Sequence, residues 1–300
     1  MKGDVEMTYQ VSVLVVTHQS AQQIERCLHS ICEQQGVSVQ LIICDHASTD
    51  GTCKVIDRFF SATNLPVPNT TLIRHPENAG YPRAVNQAAL LAKGTYLFLL
   101  NPDVRFTQKT DLARLVAYAD QHPHMGSLGP KIVDLVGKEI KCRDQYPNQS
   151  FVSFDDSGLA GAIAWLIGVA LLIPKTLFDQ ERGFDEETFL YGDGPDFCLR
   201  LRRKGYPILQ DANVVMEYMA STSANTLSSY DKKVLKTKAR YQFCQRYYDP
   251  LKVKALIERD HQRAHRRYQV TCLLALIFPS LKQKLWAYAA VRDVASQYLN

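Results

Sequence analysis

Short apolar runs alternate along this chain with segments whose apolar residues recur at helical spacing. Val11–Val16 is a β-branched apolar run, the pattern of a buried strand. In Ala21–Gln35, residues Ile24, Cys27, Leu28, Ile31 and Cys32 fall on one helical face. Val39–Cys44 predicts a second strand and Asp50–Gly51 a turn, with Asp50 capping the helix that starts at Thr52. That helix carries Val55, Ile56, Phe59 and Phe60. Thr71–Arg74 predicts a third strand, and Arg83–Lys93 an Ala-rich helix stopped by Gly94. Thr95–Leu100 predicts a fourth strand, followed by an amphipathic helix over Thr110–Gln121.

Strands alternating with helices imply right-handed crossovers and a largely parallel sheet. Such sheets bind ligands at the carboxyl ends of their strands. The polar groups after the strands are Thr17–His18, Asp45–His46 and Asn101–Pro102–Asp103, all at that edge. After Ser127, strand-like runs occur at Ser127–Val133, Val169–Ile173, Pro207–Gln210 and Val214–Tyr218. From about Leu227 the chain becomes helical and basic, which divides it into an α/β domain over 1–226 and a helical extension over 227–300.

Composition narrows the class. The chain has 300 residues, 46% apolar and 22% charged, so it can bury a core of ordinary size. A net charge of +5 does not demand nucleic acid, and no nucleic-acid partner is expected. The eight cysteines form no CxxC pair and several sit in apolar runs, the pattern of small core residues in a reducing compartment and not of a disulfide frame or zinc site. Met1–Gln10 lacks the apolar core of a secretory signal. The uncharged apolar stretch Gly158–Pro174 is shorter than the roughly 20 residues of a spanning helix. A cytoplasmic protein is expected, with contact at the inner face of the membrane left open.

Several residues could carry chemistry. Asp45 stands where a carboxylate can accept from a nucleoside base or ribose, although Asp-x-x-Ser-Thr-Asp-Gly is also good turn chemistry. Asp103 stands where it could help hold a divalent ion on a diphosphate, although Asn-Pro-Asp is also a common turn. In Asn78–Ala79–Gly80, Gly80 allows a bend or a close approach, and Arg83 could meet a phosphate. The segment Phe184–Asp196 interleaves aromatics with carboxylates, as a sugar site needs, and also reads as an acidic helix start with Asp193 as cap. No GxGxxG follows the first strand and no Walker A sequence occurs.

Together, Val13–Ser20, Asp45–Gly51, Asn78–Tyr81 and Leu99–Val104 resemble the family 2 glycosyltransferases, and within them the rhamnosyltransferase-like branch with Asn-Pro-Asp in place of Asp-x-Asp. The likeness runs from about Val11 to Ser223. It implies a GT-A fold: a single Rossmann-like α/β domain with a mixed, mainly parallel sheet, here with a C-terminal helical extension. It also implies inverting transfer from a nucleotide-sugar donor (dTDP-rhamnose-like or a UDP-sugar) to a glycan or lipid-linked acceptor of a bacterial cell surface. Thr17, Asp45, Asn78, Gly80, Arg83 and Asn101 would line the nucleotide site, with Asp103 on Mg²⁺ or Mn²⁺.

Two positions depart from the family pattern. Aligned on Phe189–Leu190–Tyr191 and Asp196, the usual Glu-Asp-x-Asp becomes Asp193–Gly194–Pro195–Asp196, with Gly194 at the base position. Either Asp193 or Asp196 serves as base, or the protein binds donor without efficient transfer; Asp193 is the favoured reading. Glu217 stands where the family often has His, so either an oxygen replaces nitrogen at the ion or Glu217 is a surface charge. In the tail, basic clusters at Lys232–Arg240 and Arg259–Arg267 precede the apolar stretch Val270–Leu281. Contact with an anionic membrane, packing on the core and a homo-oligomer interface all remain open for these helices.

Overall fold

The computed structural model describes residues 9–66, 68–147, 157–219, 227–275 and 278–299. Most of the Met1–Gln10 segment, the boundary at 226 and part of Val270–Leu281 lie outside the described residues.

The elements run β1 (Tyr9–Thr17), α1 (Ile24–Cys32), β2 (Val39–His46), α2 (Thr52–Ala62), β3 (Asn69–His75), α3 (Tyr81–Leu90), β4 (Gly94–Leu100), β5 (Val104–Phe106), α4 (Asp111–Asp120) and β6 (Ser127–Val133). There follow β7 (Arg143–Asp144), β8 (Trp165–Leu166), β9 (Ala170–Pro174), α5 (Lys175–Gln180), α6 (Asp193–Arg203), β10 (Ile208–Tyr218), α7 (Ser229–Tyr247), α8 (Pro250–Ala275) and α9 (Lys282–Leu299). The main sheet has the order β3-β2-β1-β4-β9-β6-β10-β5. β1 pairs in parallel with β2 and β4, β2 with β3, and β6 with β10. β9 inserts antiparallel between β4 and β6, and β5 closes the far edge antiparallel to β10.

Alternate residues of the central strands feed opposite faces of the sheet. Val13, Val15, Leu41, Ile43, Phe98 and Leu100 pack with α1 and α4 residues on one face. Leu14, Ile42, Cys44, Leu97 and Leu99 pack with α3 and α6 residues on the other. Full burial of such a side chain contributes about 1.5–3 kcal/mol, which is why both faces read as continuous apolar runs. A third cluster joins Tyr241, Phe243, Cys244, Leu256 and Val294 of the tail helices to Tyr146 and to Leu199 of α6. The tail is thus packed on the α/β layers through α6.

Gly94 opens β4 and does not stop the preceding helix, which ends at Leu90. A Cβ on Gly94 would lie 2.4 Å from the Ser12 nitrogen, so the glycine is required by the close approach of β4 to β1. The strand-like runs at 207–210 and 214–218 are one strand, β10, whose register shifts between Asp211 and Val215. The Gly158–Pro174 stretch supplies β8 and β9. Among the described residues no helix is long and apolar enough to cross a membrane.

Candidate active site

Thr17 closes β1 and Asp45 stands beside it in register on β2. Both are buried, and Thr17 Oγ1 donates to Asp45 Oδ1 at 2.7 Å. Ser48 completes the carboxylate's shell: its hydroxyl donates to Oδ1 at 2.6 Å and its amide to Oδ2 at 3.0 Å. The turn that returns Ser48 to Asp45 passes through Ala47 at φ 55°, a left-handed conformation that an alanine adopts only under constraint. Gln19, at φ 53°, holds the same turn from β1, its Oε1 accepting from the amides of Thr49 and Asp50. Asp50 in turn accepts from the Thr52 amide at 3.0 Å at the start of α2. The Asp45 loop is therefore held by side chains of two strand ends before any ligand arrives.

Asn101 and Asp103 follow β4, the neighbour of β1 on its other side. Asp103 is buried, its carbonyl accepts from the Met219 amide at 2.7 Å, and its negative charge adds to burial in pushing the Cys27 thiol far up. The Cys27 sulfur contacts the Asn101 carbonyl at 3.7 Å, so α1 packs directly beneath the Asn-Pro-Asp turn. Glu217, on β10 opposite Arg105 of β5, is ion-paired to Arg105 at 2.7 Å.

The Asn78–Gly80 turn and α3 carry the loop that precedes α6. Asn78 Oδ1 accepts from the Gly80 amide, and the Tyr81 amide donates to the Phe189 carbonyl at 3.0 Å. Gly80 has φ 94°, and a Cβ there would lie 2.7 Å from that carbonyl. Arg83 is paired with Glu186 at 3.0 Å, and Asn86 exchanges hydrogen bonds with the Phe184 backbone. Arg83 and Gly80 thus meet the acidic loop in this structure.

Asp193 and Asp196 lie in the first turn of α6 with different surroundings. Asp193 is buried, and burial is the main cause that lifts its carboxyl to about 6; backbone amides oppose the shift and the charge of Asp196 adds to it. Tyr81 and Gly168 lie close to it: burial raises the Tyr81 phenol and the charge of Asp193 adds to that, and a Cβ on Gly168 would stand 3.7 Å from Asp193 Oδ2. The residue two before it, Tyr191, has φ 75°. Asp196 instead accepts from Arg200 at 2.9 Å, Arg246 at 3.0 Å and Tyr247 at 2.5 Å. Gly194 faces neither carboxylate; a Cβ there would stand 3.3 Å from the Leu166 carbonyl and 3.5 Å from the Trp165 ring.

Sequence reasoning missed Ser48, Tyr81, Arg246 and Tyr247. Ser48 was visible inside the Asp-x-x-Ser turn. Arg246 and Tyr247 carry no local signal, because they reach the site only through the packing of α7. A hollow between the start of β4, Pro123 and Lys175 lies at the opposite edge of the sheet, and none of the candidate residues lines it.

The mainly parallel sheet with these loops at its carboxyl edge is the GT-A glycosyltransferase fold. It is shared with the mannosyltransferase PcManGT from Pyrobaculum calidifontis, solved with GDP-Man and Mn²⁺ (TM-score 0.61, 17% identity, 98% of this chain and 88% of that one). It is shared also with S. aureus TarS 1-349 in complex with UDP (TM-score 0.54, 16% identity, 96% and 91%). The chain matches, over residues 12–145, the family described as Glycosyl transferase family 2. It is 28% identical over 232 residues to the N-acetylglucosaminyl-diphospho-decaprenol L-rhamnosyltransferase of Mycobacterium tuberculosis (strain ATCC 25618 / H37Rv), covering 67% of this chain and 73% of the relative. It is 31% identical over 111 residues to a PGL/p-HBAD biosynthesis glycosyltransferase of Mycobacterium bovis (strain BCG / Pasteur 1173P2), covering 37% and 42%. The likeness is thus to family 2 glycosyltransferases, a rhamnosyltransferase among them.

Proposed function

We propose that the chain is an inverting transferase that moves a sugar, rhamnose or a related hexose, from a nucleoside-diphosphate donor to a hydroxyl of a lipid-linked or cell-surface glycan acceptor. The observation that carries this reading is the contrast in α6: Asp193 is buried with its carboxyl raised to about 6, while Asp196 is held by two arginines and a tyrosine. A base tuned near the working pH is what hydroxyl activation requires. Likeness to a decaprenol-linked rhamnosyltransferase supports the acceptor class.

On this reading Thr17 and Asp45 hold the nucleoside, with Ser48 fixing the carboxylate. Asn78 and Gly80 shape the backbone beside it, Asn101 shapes the turn that carries Asp103, and Arg83 stands by for the phosphates once Glu186 releases it. Asp103 offers a hard oxygen donor suited to Mg²⁺ or Mn²⁺, and Glu217 offers a second if it leaves Arg105. When bound, the ion neutralises charge on the diphosphate leaving group. Asp193 takes the acceptor hydroxyl proton, the freed oxygen attacks the anomeric carbon, and the bond to the diphosphate breaks with inversion. Residues 1–226 would form the transferase unit and 227–300 an extension that both braces α6 and meets the membrane.

The test is transfer or donor hydrolysis with a panel of nucleotide sugars and Mn²⁺, read by mass spectrometry, in the native chain and in Asp103→Ala and Asp193→Asn. Turnover lost in both variants is expected. Nucleotide binding with no turnover from any donor and acceptor would favour the reading that Gly194 marks an impaired enzyme, and unchanged turnover in Asp103→Ala would remove the metal assignment.

A further inference from the structure

We propose that Cys44, His46 and His75 form a second metal site, one for a borderline divalent cation of the Zn²⁺ class. Sheet register builds it. His46 and His75 are paired across the parallel β2–β3 ladder, and Cys44, two residues before His46, points to the same face beneath α3. One ligand atom from each residue lies within 4.8 Å of the other two, and the imidazole rings meet edge to face with centroids 4.8 Å apart.

Two further observations point to a ligand. Nε2 of His46 and Nε2 of His75 are both buried without a hydrogen-bond partner among the described residues, and His46 is only 1% exposed. A buried polar group left so costs about 1–3 kcal/mol, and two in one cluster call for a common partner. Gln87 of α3 lies beside His46 and interacts with its ring, while its buried Oε1 makes no close hydrogen bond, which leaves it in place for a fourth ligand or a bound water.

The donor set decides the ion. One thiolate and two imidazoles favour Zn²⁺, whereas Mg²⁺ and Mn²⁺ prefer the oxygen donors offered at Asp103. The site therefore does not rest on the transferase reading. Loading it releases the Cys44 proton, since the thiolate is the ligating form. Ligation through Nε2 places the His46 proton on Nδ1, which now accepts from the Ala79 amide at 3.3 Å. That weak bond is lost on loading, so occupancy reaches the Asn78–Gly80 turn. The local sequence gives little sign of the site, since 28 residues separate His46 from His75 and no CxxC occurs.

The experiment is titration of the chelator-treated full chain with Co²⁺, followed by Zn²⁺ displacement. One Co²⁺ per chain should produce a thiolate-to-metal charge-transfer band and the intense visible bands of four-coordinate cobalt. Both should vanish in Cys44→Ser and in His75→Gln, the half-buried member, and persist in a Cys53→Ser/Cys272→Ser double variant and in Asp103→Ala. Zn²⁺ affinity should fall in His75→Gln by more than the roughly 10–100-fold that losing a supporting partner costs. No thiolate band in the folded native chain, or a band that survives Cys44→Ser, would overturn the site.

Discussion

Arg246, in the last turn of α7, donates from Nη1 to Asp196 Oδ1 at 3.0 Å. The same guanidinium reaches Asp185 at 2.6 Å and Glu187 at 3.1 Å, so one tail residue ties the acidic loop to the first turn of α6. Burial works to lower its pKa, and Asp185 and Asp196 together outweigh that and drive it up. Arg246 is partly exposed, which screens the interaction, whereas Asp196 is buried. Arg246→Met should destabilise the fold by about 1–2 kcal/mol and lower kcat more than it raises the donor KM, because the loop before α6 loses its anchor. Urea unfolding and steady-state kinetics check this. A variant with native kcat would show that α7 only covers the site.

Asp193 should set the acid limb of the pH profile. With its carboxyl raised to about 6, transfer should rise as pH passes through that value and level off above it. Asp193→Asn should lose about 10²–10⁴-fold in kcat with the acid limb removed from any residual activity. Asp196→Asn, which leaves Asp193 intact, should keep that limb. A profile unchanged by Asp193→Asn would move the base elsewhere.

Stability carries the same signature with opposite consequence. Because the folded pKa lies above the ordinary carboxyl value of 3.8, the fold disfavours the ionised form. The stabilising proton is held below about pH 4, and its contribution is lost as pH rises through about 6. Asp193→Asn cannot ionise, so it should be more stable than the native chain by roughly 1–3 kcal/mol at pH 8, with the gain shrinking towards pH 4. Denaturant melts at the two pH values measure it; a gain equal at both would mean that the effect is not one of ionisation.

Much of this was legible in the chain because it is local. The run Val11–Val16 is β1 nearly to its ends, Ser127–Val133 is β6, and the polar groups after β1, β2 and β4 fall on one edge because parallel strands must place them there. What escaped is what distant segments decide together. Nothing in Ala170–Pro174 announces that β9 runs antiparallel between β4 and β6; only the core it fills determines that. Gly94 carries the local signature of a helix stop but is required by the Ser12 backbone across the sheet. Arg246 reads as one more basic residue of a tail, and its partner Asp196 lies 50 positions upstream. The departure at Gly194 was visible, and the Trp165 ring and Leu166 carbonyl beside it leave little room for a longer side chain.

Gly80 offers a test of the donor-side turn. It has φ 94°, and any Cβ would lie 2.7 Å from the Phe189 carbonyl and 3.0 Å from its ring. Gly80→Ala must either strain the turn or displace the 184–191 loop, at about 1–3 kcal/mol. Nucleotide affinity by calorimetry should fall, and Arg83 should lose Glu186 as the loop moves. Native affinity together with native stability would show that the turn yields freely.

The tip of the α8–α9 hairpin should bind anionic membranes. Val270, Leu273 and Leu274 end α8 exposed, Leu273 by 70%, and Phe278 and Trp286 follow at 54% and 53%. Arg263, Arg266 and Arg267 precede this apolar tip and Lys282 and Lys284 follow it. A surface of this kind would lie in the headgroup region of a bilayer. Each basic residue near an anionic surface contributes about 1 kcal/mol, and salt weakens that share within a Debye length. The full chain should co-sediment with vesicles containing phosphatidylglycerol more than with pure phosphatidylcholine, and less as salt rises. Trp286→Ser with Leu273→Ser should reduce binding at any salt while leaving turnover on a water-soluble acceptor unchanged, because both side chains are exposed on the tail helices. Equal binding to neutral and anionic vesicles would remove the electrostatic share, and no binding to either would leave the tip to a protein partner or a second copy of the chain.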